Sequence, residues 1–275
     1  MDFQDFCGKA CQSLISLQTA MHKTIFILLL LFCTTQAIGQ AELKDYFDNG
    51  VKYLKAEKYQ EADSTFTDVL HKATDSKLKE YCYIYRGMSY RARGDYKKAI
   101  ADFDRAIKQE PSDLASYADR AITKLYAKDN AGAIKDYEYI VKKDSVGKQG
   151  QSAMNYLARI HYEQKEYDQS IKYYDRLIKI NPNDPELYFN RGAAKGMLLQ
   201  NKESIVDYDK AIALKPDYKE AYANRGVAKI NLLTSSGTIS PTSEQASDGC
   251  ADLQKAKQLG DNDIDDLIFA YCHKK

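Results

Sequence analysis

Histidine, cysteine and carboxylate side chains carry most protein chemistry, and their spacing here offers catalysis no foothold. Downstream of residue 40 the histidines are His71, His161 and His273, each in a different stretch of chain. The cysteines there are Cys82, Cys250 and Cys272. A metal held by Cys250, Cys272 and His273 would lack the fourth ligand of a structural zinc shell. Gly-x-Ser-x-Gly, His-Glu-x-x-His, a phosphate-cradling glycine loop and Cys-x-x-Cys are all missing from this region. The expectation is a non-enzymatic chain with no catalytic residue, no metal and no cofactor. Cys250 and Cys272 leave two alternatives open, a disulfide in an oxidising compartment or two buried thiols.

The pairing chemistry that does recur is ionic. Arg86, Arg120, Arg191 and Arg225 are each followed by an aspartate in the next amphipathic stretch: Asp102, Asp136, Asp207 and Asp252. Where the arginine is replaced, by Asn49 or Leu157, the aspartate is replaced too, by Thr65 or Tyr173. Residues that come and go together in this way predict four partly buried Arg–Asp bridges, within a helix pair or to its neighbour.

The elements that must place these pairs are repeats. The chain falls into units of about 34 residues beginning at Leu43, Glu80, Leu114, Gln151, Pro185 and Lys219. Position 4 is Tyr46, Tyr83, Tyr117, Met154, Tyr188 and Tyr222, in a protein with 22 tyrosines and no tryptophan. Position 8 is Gly50, Gly87, Ala121, Ala158, Gly192 and Gly226, and position 20 is Ala62, Ala99, Ala133, Ser170, Ser204 and Gly249. Small residues at both positions let two helices approach closely. Position 24 is Phe66, Phe103, Tyr137, Tyr174, Tyr208 and Leu253, bulk expected to fill the space between neighbouring pairs. Pro111, Pro182 and Pro216 share position 32, where proline ends a helix. Apolar residues recur at helical spacing through both halves of each unit, and no single pair can bury its apolar face alone.

Over 43–262 this pattern, clearest in YRGMSYRARGDYKKAIADFDRAIKQEP (85–111), resembles the tetratricopeptide-repeat (TPR) family. The resemblance implies an all-α fold, a right-handed α-solenoid of about six TPR helix pairs. Ile264, Leu267, Ile268 and Tyr271 then predict a capping helix within 263–275, and a Ser/Thr-rich insertion occupies 234–247. In the family the first helix of each pair lines a concave groove. Carried onto this sequence, the groove candidates are Tyr85, Arg91, Tyr126, Asn155, Tyr156, Arg159, Tyr162, Phe189, Asn190, Asn224 and Asn231. Tyrosine and arginine supply contact area with a polar handle, and asparagine can hold a peptide backbone as donor and acceptor. Family members that clamp a C-terminal carboxylate place lysine at position 2, whereas Glu186 and Glu220 stand there here.

Forty basic against thirty-nine acidic side chains give a net charge of +1, which excludes a nucleic-acid binder working by counterion release. Met21–Lys23, the apolar run Ile25–Cys33 and the small residues Ala37 and Gly39 read as a signal peptide cut before Gln40, with 1–20 an upstream extension. The apolar run is too short to span a membrane. The sequence thus predicts an exported bacterial scaffold of the periplasm or cell surface, holding a protein or peptide segment in its groove. The alternatives are a self-associating envelope module, a homo-oligomer, and a cell-wall or glycan binder.

Overall fold

The computed structural model describes residues 42–235 and 241–272. The signal-peptide and upstream-extension readings, His273 and part of the 234–247 insertion lie outside the described residues. Those described form thirteen helices and no strand: α1 (42–55), α2 (Tyr59–Lys72), α3 (Ser76–Ala92), α4 (Tyr96–Gln109), α5 (Leu114–Tyr126), α6 (Asn130–Lys143), α7 (Lys148–Glu163), α8 (Tyr167–Ile180), α9 (Pro185–Met197), α10 (Asn201–Leu214), α11 (Lys219–Ser235), α12 (Ser247–Gln258) and α13 (Asp265–Cys272). The fold is an all-α repeat solenoid, in which α1 to α12 make six pairs and α13 follows. It divides into two compact units, one ending at Ser116 and one starting at Tyr117, inside the first turn of α5.

Local chemistry sets the helix ends. The helices α4, α8 and α10 stop at Gln109, Ile180 and Leu214, each just short of Pro111, Pro182 or Pro216. Proline has no N–H to continue the ladder and forces extended backbone on the residue before it. At helix starts, Asp75 accepts the Leu78 N–H at 2.6 Å and Asp129 accepts the Gly132 N–H at 2.9 Å. Asp184 does the same for Glu186 ahead of Pro185, the first residue of α9. In the first five repeats the turn inside a pair has one left-handed residue, at position 15. Gly94 supplies it freely in the second repeat, while Glu57, Lys128, Lys165 and Leu199 adopt φ of 58 to 64°.

Packing inside a pair is closest where position 8 meets position 24. A methyl group on Gly50 would lie 2.7 Å from the Phe66 ring, and one on Gly87 would lie 3.0 Å from Phe103. The position-24 ring therefore seals its own pair first, which corrects the expectation that it mainly fills the space between pairs. Its outer edge then reaches the next repeat, as where Phe66 meets Tyr85 at 6.0 Å between centroids.

The four arginine–aspartate pairs close within their own helix pairs. Arg86 Nε and Nη2 donate to the two Asp102 carboxylate oxygens at 2.7 and 2.9 Å. Arg120 does the same with Asp136 at 2.9 and 2.6 Å. Arg191–Asp207 and Arg225–Asp252 repeat the two-pronged geometry. Each aspartate is almost fully buried and takes a second cation: Arg105 on Asp102, Lys124 on Asp136, Lys195 on Asp207 and Lys229 on Asp252. The third arginine nitrogen turns back to the preceding repeat, Arg191 to Asp175 and Arg225 to Asp209, each at 2.6 Å. Burial alone pulls the Arg191 pKa down, and the hydrogen bonds it donates to Asp207 and Asp175 more than reverse it. The tyrosine at position 4 lies over each guanidinium, with Tyr222 5.2 Å and Tyr117 5.3 Å from Arg225 and Arg120.

The fourth repeat changes this whole set. Met154 and Leu157 are fully buried in place of tyrosine and arginine, and Tyr173 stands in place of aspartate. His161, where three other repeats have the second lysine, stacks on Tyr173 at 5.7 Å.

At the far end α13 lays Leu267, Ile268 and Tyr271 against a core of Ile230, Cys250, Leu253 and Ile264. The structure joins Cys250 to Cys272, with their Cα atoms 5.6 Å apart. No residue of α13 is fully buried, so the covalent link adds to a shallow contact.

Two measurements test this account. Asp207→Ala leaves the partly buried Lys195 without its carboxylate and Arg191 with Asp175 alone, and is expected to destabilise by about 3 kcal/mol. Asp175→Ala removes a half-exposed partner and is expected to cost no more than about 1 kcal/mol. Equal urea midpoints by circular dichroism would refute the assignment. Non-reducing peptide mapping should return Cys250 linked to Cys272, and reduction should lower stability by about 3 kcal/mol on a chain-entropy basis. Cys82, whose thiol burial pushes up to about 12, should resist alkylation until the protein is unfolded.

Candidate functional site

The first helices of repeats four, five and six leave a cleft of about 510 Å³ in the second unit. From α7 it takes Asn155, Arg159, Tyr162 and Glu163; from α9, Glu186, Phe189, Asn190 and Ala193. Tyr174 of α8 and Asn224 of α11 complete the lining. A smaller recess of about 240 Å³ continues from Tyr162 and Asn224 towards Met197, Val227 and Asn231.

The bridges explain why these faces are free. In repeats five and six, positions 7 and 11 of the first helix are spent on the buried aspartate, in repeat four Leu157 and His161 stand there, and positions 4 and 8 belong to the pair's own core. That leaves positions 2, 5, 6, 9, 12 and 13 on the opposite face, where Glu186, Asn155, Phe189, Asn190, Arg159 and Tyr162 stand. Asn155 and Asn190 make no side-chain hydrogen bond with any described residue, and Arg159 makes no ion pair. Their polar groups face the cleft with their capacity unspent.

The aromatic wall is firmly seated. Phe189 packs on Tyr208 at 6.0 Å and on Tyr218 at 4.9 Å. Tyr162 meets Tyr167 edge-on at 5.3 Å. Burial pushes the Tyr174 hydroxyl up to about 12, with Arg159 pulling against it. Burial also raises Tyr208, whose hydroxyl bonds to the Asn224 side chain, and it raises Tyr162.

Of the residues expected in a groove, the structure brings Asn155, Arg159, Tyr162, Phe189, Asn190 and Asn224 together, with Asn231 in the adjoining recess. Four others fall elsewhere. Tyr85 packs on Phe47 at 5.4 Å and on Phe66, inside the first unit. Tyr156 stacks on Tyr137 at 4.9 Å with rings nearly parallel. The cause is shared: both occupy position 6, from which a long flat side chain reaches the position-24 ring of the preceding repeat. Asparagine at the same position is too short to be drawn in so far, so Asn190 stays at the cleft and Asn224 touches Tyr208 only by its amide. Arg91 lies over the Phe103 ring at 5.8 Å in the first unit. Tyr126 is exposed on α5 but lines neither recess of the second unit.

Sequence reasoning missed two sets of residues. The cation at position 11 (Lys124, Lys195, Lys229) and the acid at position 25 (Asp175, Asp209) both belong to the bridges, and both repeat in register. Glu163 and Tyr174 of the cleft stand at positions 13 and 24, and register alone does not single them out from the other residues at those positions.

Two segments match repeat models, residues 80–113 the tetratricopeptide repeat and residues 158–198 a TPR repeat. Among solved structures, the C-terminal part of a TPR repeat-containing protein from Cytophaga hutchinsonii superposes with a TM-score of 0.66. It is 19% identical and covers 82% of this chain and 84% of its own. The chain thus carries tetratricopeptide repeats over these segments. A crystal structure of MamA is also similar, with a TM-score of 0.56, 19% identity, and coverage of 66% of this chain and 91% of that one. No curated protein matches the sequence. TPR arrays are generally non-enzymatic scaffolds for protein–protein interaction. Among the described residues of this one, no three metal-ligating side chains converge, and no helix is long and apolar enough to cross a membrane.

The buried tyrosines carry a pH signature. Tyr174 and Tyr218 are held neutral up to about 12, against an ordinary value of 10.0. Their stability contribution is complete below the unfolded value and is lost as pH rises through the folded one. Alkaline unfolding is expected to begin between these limits, and Tyr174→Phe should make that arm shallower. Unchanged alkaline midpoints for the variant would contradict the assignment.

Proposed function

We propose that this TPR protein is a non-catalytic scaffold that holds an extended protein segment in the cleft of α7, α9 and α11. One observation carries the reading. Asn155, Arg159 and Asn190 present unengaged polar groups along one cleft, backed by the rings of Tyr162, Tyr174 and Phe189. An extended segment has a backbone donor and acceptor at every residue, which asparagine matches, and side chains that a seated aromatic wall can cover. Rings already fixed by Tyr208, Tyr218 and Tyr167 need little ordering when a ligand arrives, which favours affinity.

The same proposal places the chain outside the cytoplasm, in the periplasm or at the cell surface. The leader-like sequence 21–39 and the joining of Cys250 to Cys272 support it, since disulfides persist in oxidising compartments.

The test compares the full chain with an Asn155→Ala, Arg159→Ala, Asn190→Ala variant as bait in envelope extract. None of the three side chains supports the core, so the variant should keep its circular dichroism spectrum and urea midpoint. The parent is expected to capture a protein that the variant loses. A photocrosslinker at position 190 should join that protein to the cleft. Equal capture by both baits would refute the cleft, and recovery of the chain alone would favour self-association.

A further inference from the structure

The charges around the cleft are unevenly distributed. Its lining holds one cation, Arg159, and two carboxylates, Glu163 and Glu186. Both glutamates are exposed, and neither makes an ion pair with a described residue. Arg159 lies on the Tyr174 side of the cleft, where its charge opposes the rise in that hydroxyl's pKa. Phe189 of α9 also lines the cleft, and Tyr218 packs against it at 4.9 Å. Tyr218 is raised first by burial and then by three carboxylates, Glu186, Glu220 and Asp184, which gather around this ring. The cations facing them are few: Lys215 sits 4.5 Å above the Tyr218 ring, and Lys219 lies 4.0 Å from Glu220. Glu186 has neither as an ion-pair partner. Glu186 and Glu220 also share position 2 of successive repeats, so the stacking of repeats itself sets the carboxylates in a row.

An aromatic face beside an unpaired carboxylate suits a desolvating cation. The ring's quadrupole attracts the charge, and the carboxylate supplies the hydrogen-bond acceptor. We propose that the cleft selects a segment bearing a lysine or arginine side chain, whose cation meets Glu163 and Glu186 beside the rings of Tyr162 and Phe189. This rests on the reading of the cleft as a site for an extended segment and adds the chemical class of that segment. Arg159, one helical turn before Glu163 on α7, repels a second basic residue beside it.

The test uses the full chain, immobilised, with a displayed library of random dodecapeptides as the probe. Recovered peptides are expected to be enriched in lysine and arginine over aspartate and glutamate. Against one such synthetic peptide, the Glu163→Gln, Glu186→Gln variant should bind about threefold more weakly, as for partly exposed pairs. The difference should shrink as salt is raised. Replacing the peptide's basic residue by methionine should produce the same loss in the parent and none in the variant. Recovered peptides with no charge preference, or with an acidic one, would overturn this inference and leave the segment-binding cleft standing. Peptides that bind equally to the Asn155→Ala, Arg159→Ala, Asn190→Ala variant, or no recoverable binder, would overturn both.

Discussion

The buried aspartate at position 23, shared between two cations, is the constraint on which the rest of this structure depends. A carboxylate that is almost wholly removed from water must be compensated, and the two-pronged arginine has essentially one geometry in which to do it. That geometry fixes the rotation and register of one helix of the pair against the other. Once they are fixed, the glycine at position 8 can take the position-24 ring at contact distance, as at Gly87 and Phe103. The third arginine nitrogen then binds the acid of the preceding repeat, at Asp175 or Asp209. The ion pair therefore orders a pair and also joins pairs. In a repeat protein, stability is a sum of such within-repeat and neighbour terms.

The cleft follows from the same constraint. A first helix that commits one face to its aspartate and its partner's ring has a single remaining face, and successive repeats align those faces. The fourth repeat, with Met154 and Leu157 buried in place of tyrosine and arginine, keeps its register by apolar packing. Its free face carries Asn155, Arg159, Tyr162 and Glu163, four of the ten residues that line the cleft. Loss of the ionic set and concentration of the site thus coincide in one repeat. The coincidence makes physical sense, because Tyr173 in place of the aspartate leaves Arg159 no buried carboxylate to turn towards.

Much of this was legible in the chain. The joint presence and absence of Arg86 with Asp102 and of its three counterparts announced the pairing before any coordinates. The prolines marked where helices end, and the spacing of Cys250 and Cys272 made a link between α12 and the cap conceivable. Asn190 and Tyr85 show where legibility stops. They hold the same repeat position, yet one lines the cleft and the other is packed on Phe47 and Phe66. Position gives the direction of the Cα–Cβ bond, while the length and flatness of the side chain decide whether it reaches its neighbour's ring.

The sequence by itself determined the helix pairs, their register and the position-23 aspartate partners of the arginines. Each of these follows from local periodicity or from residue types that must satisfy one another. Only the tertiary structure decided which of many exposed tyrosines and asparagines form a site, and that Glu163, Glu186 and Tyr174 join them. A cleft is made by surfaces from three repeats at once. No periodic signal within one repeat can record what stands opposite it.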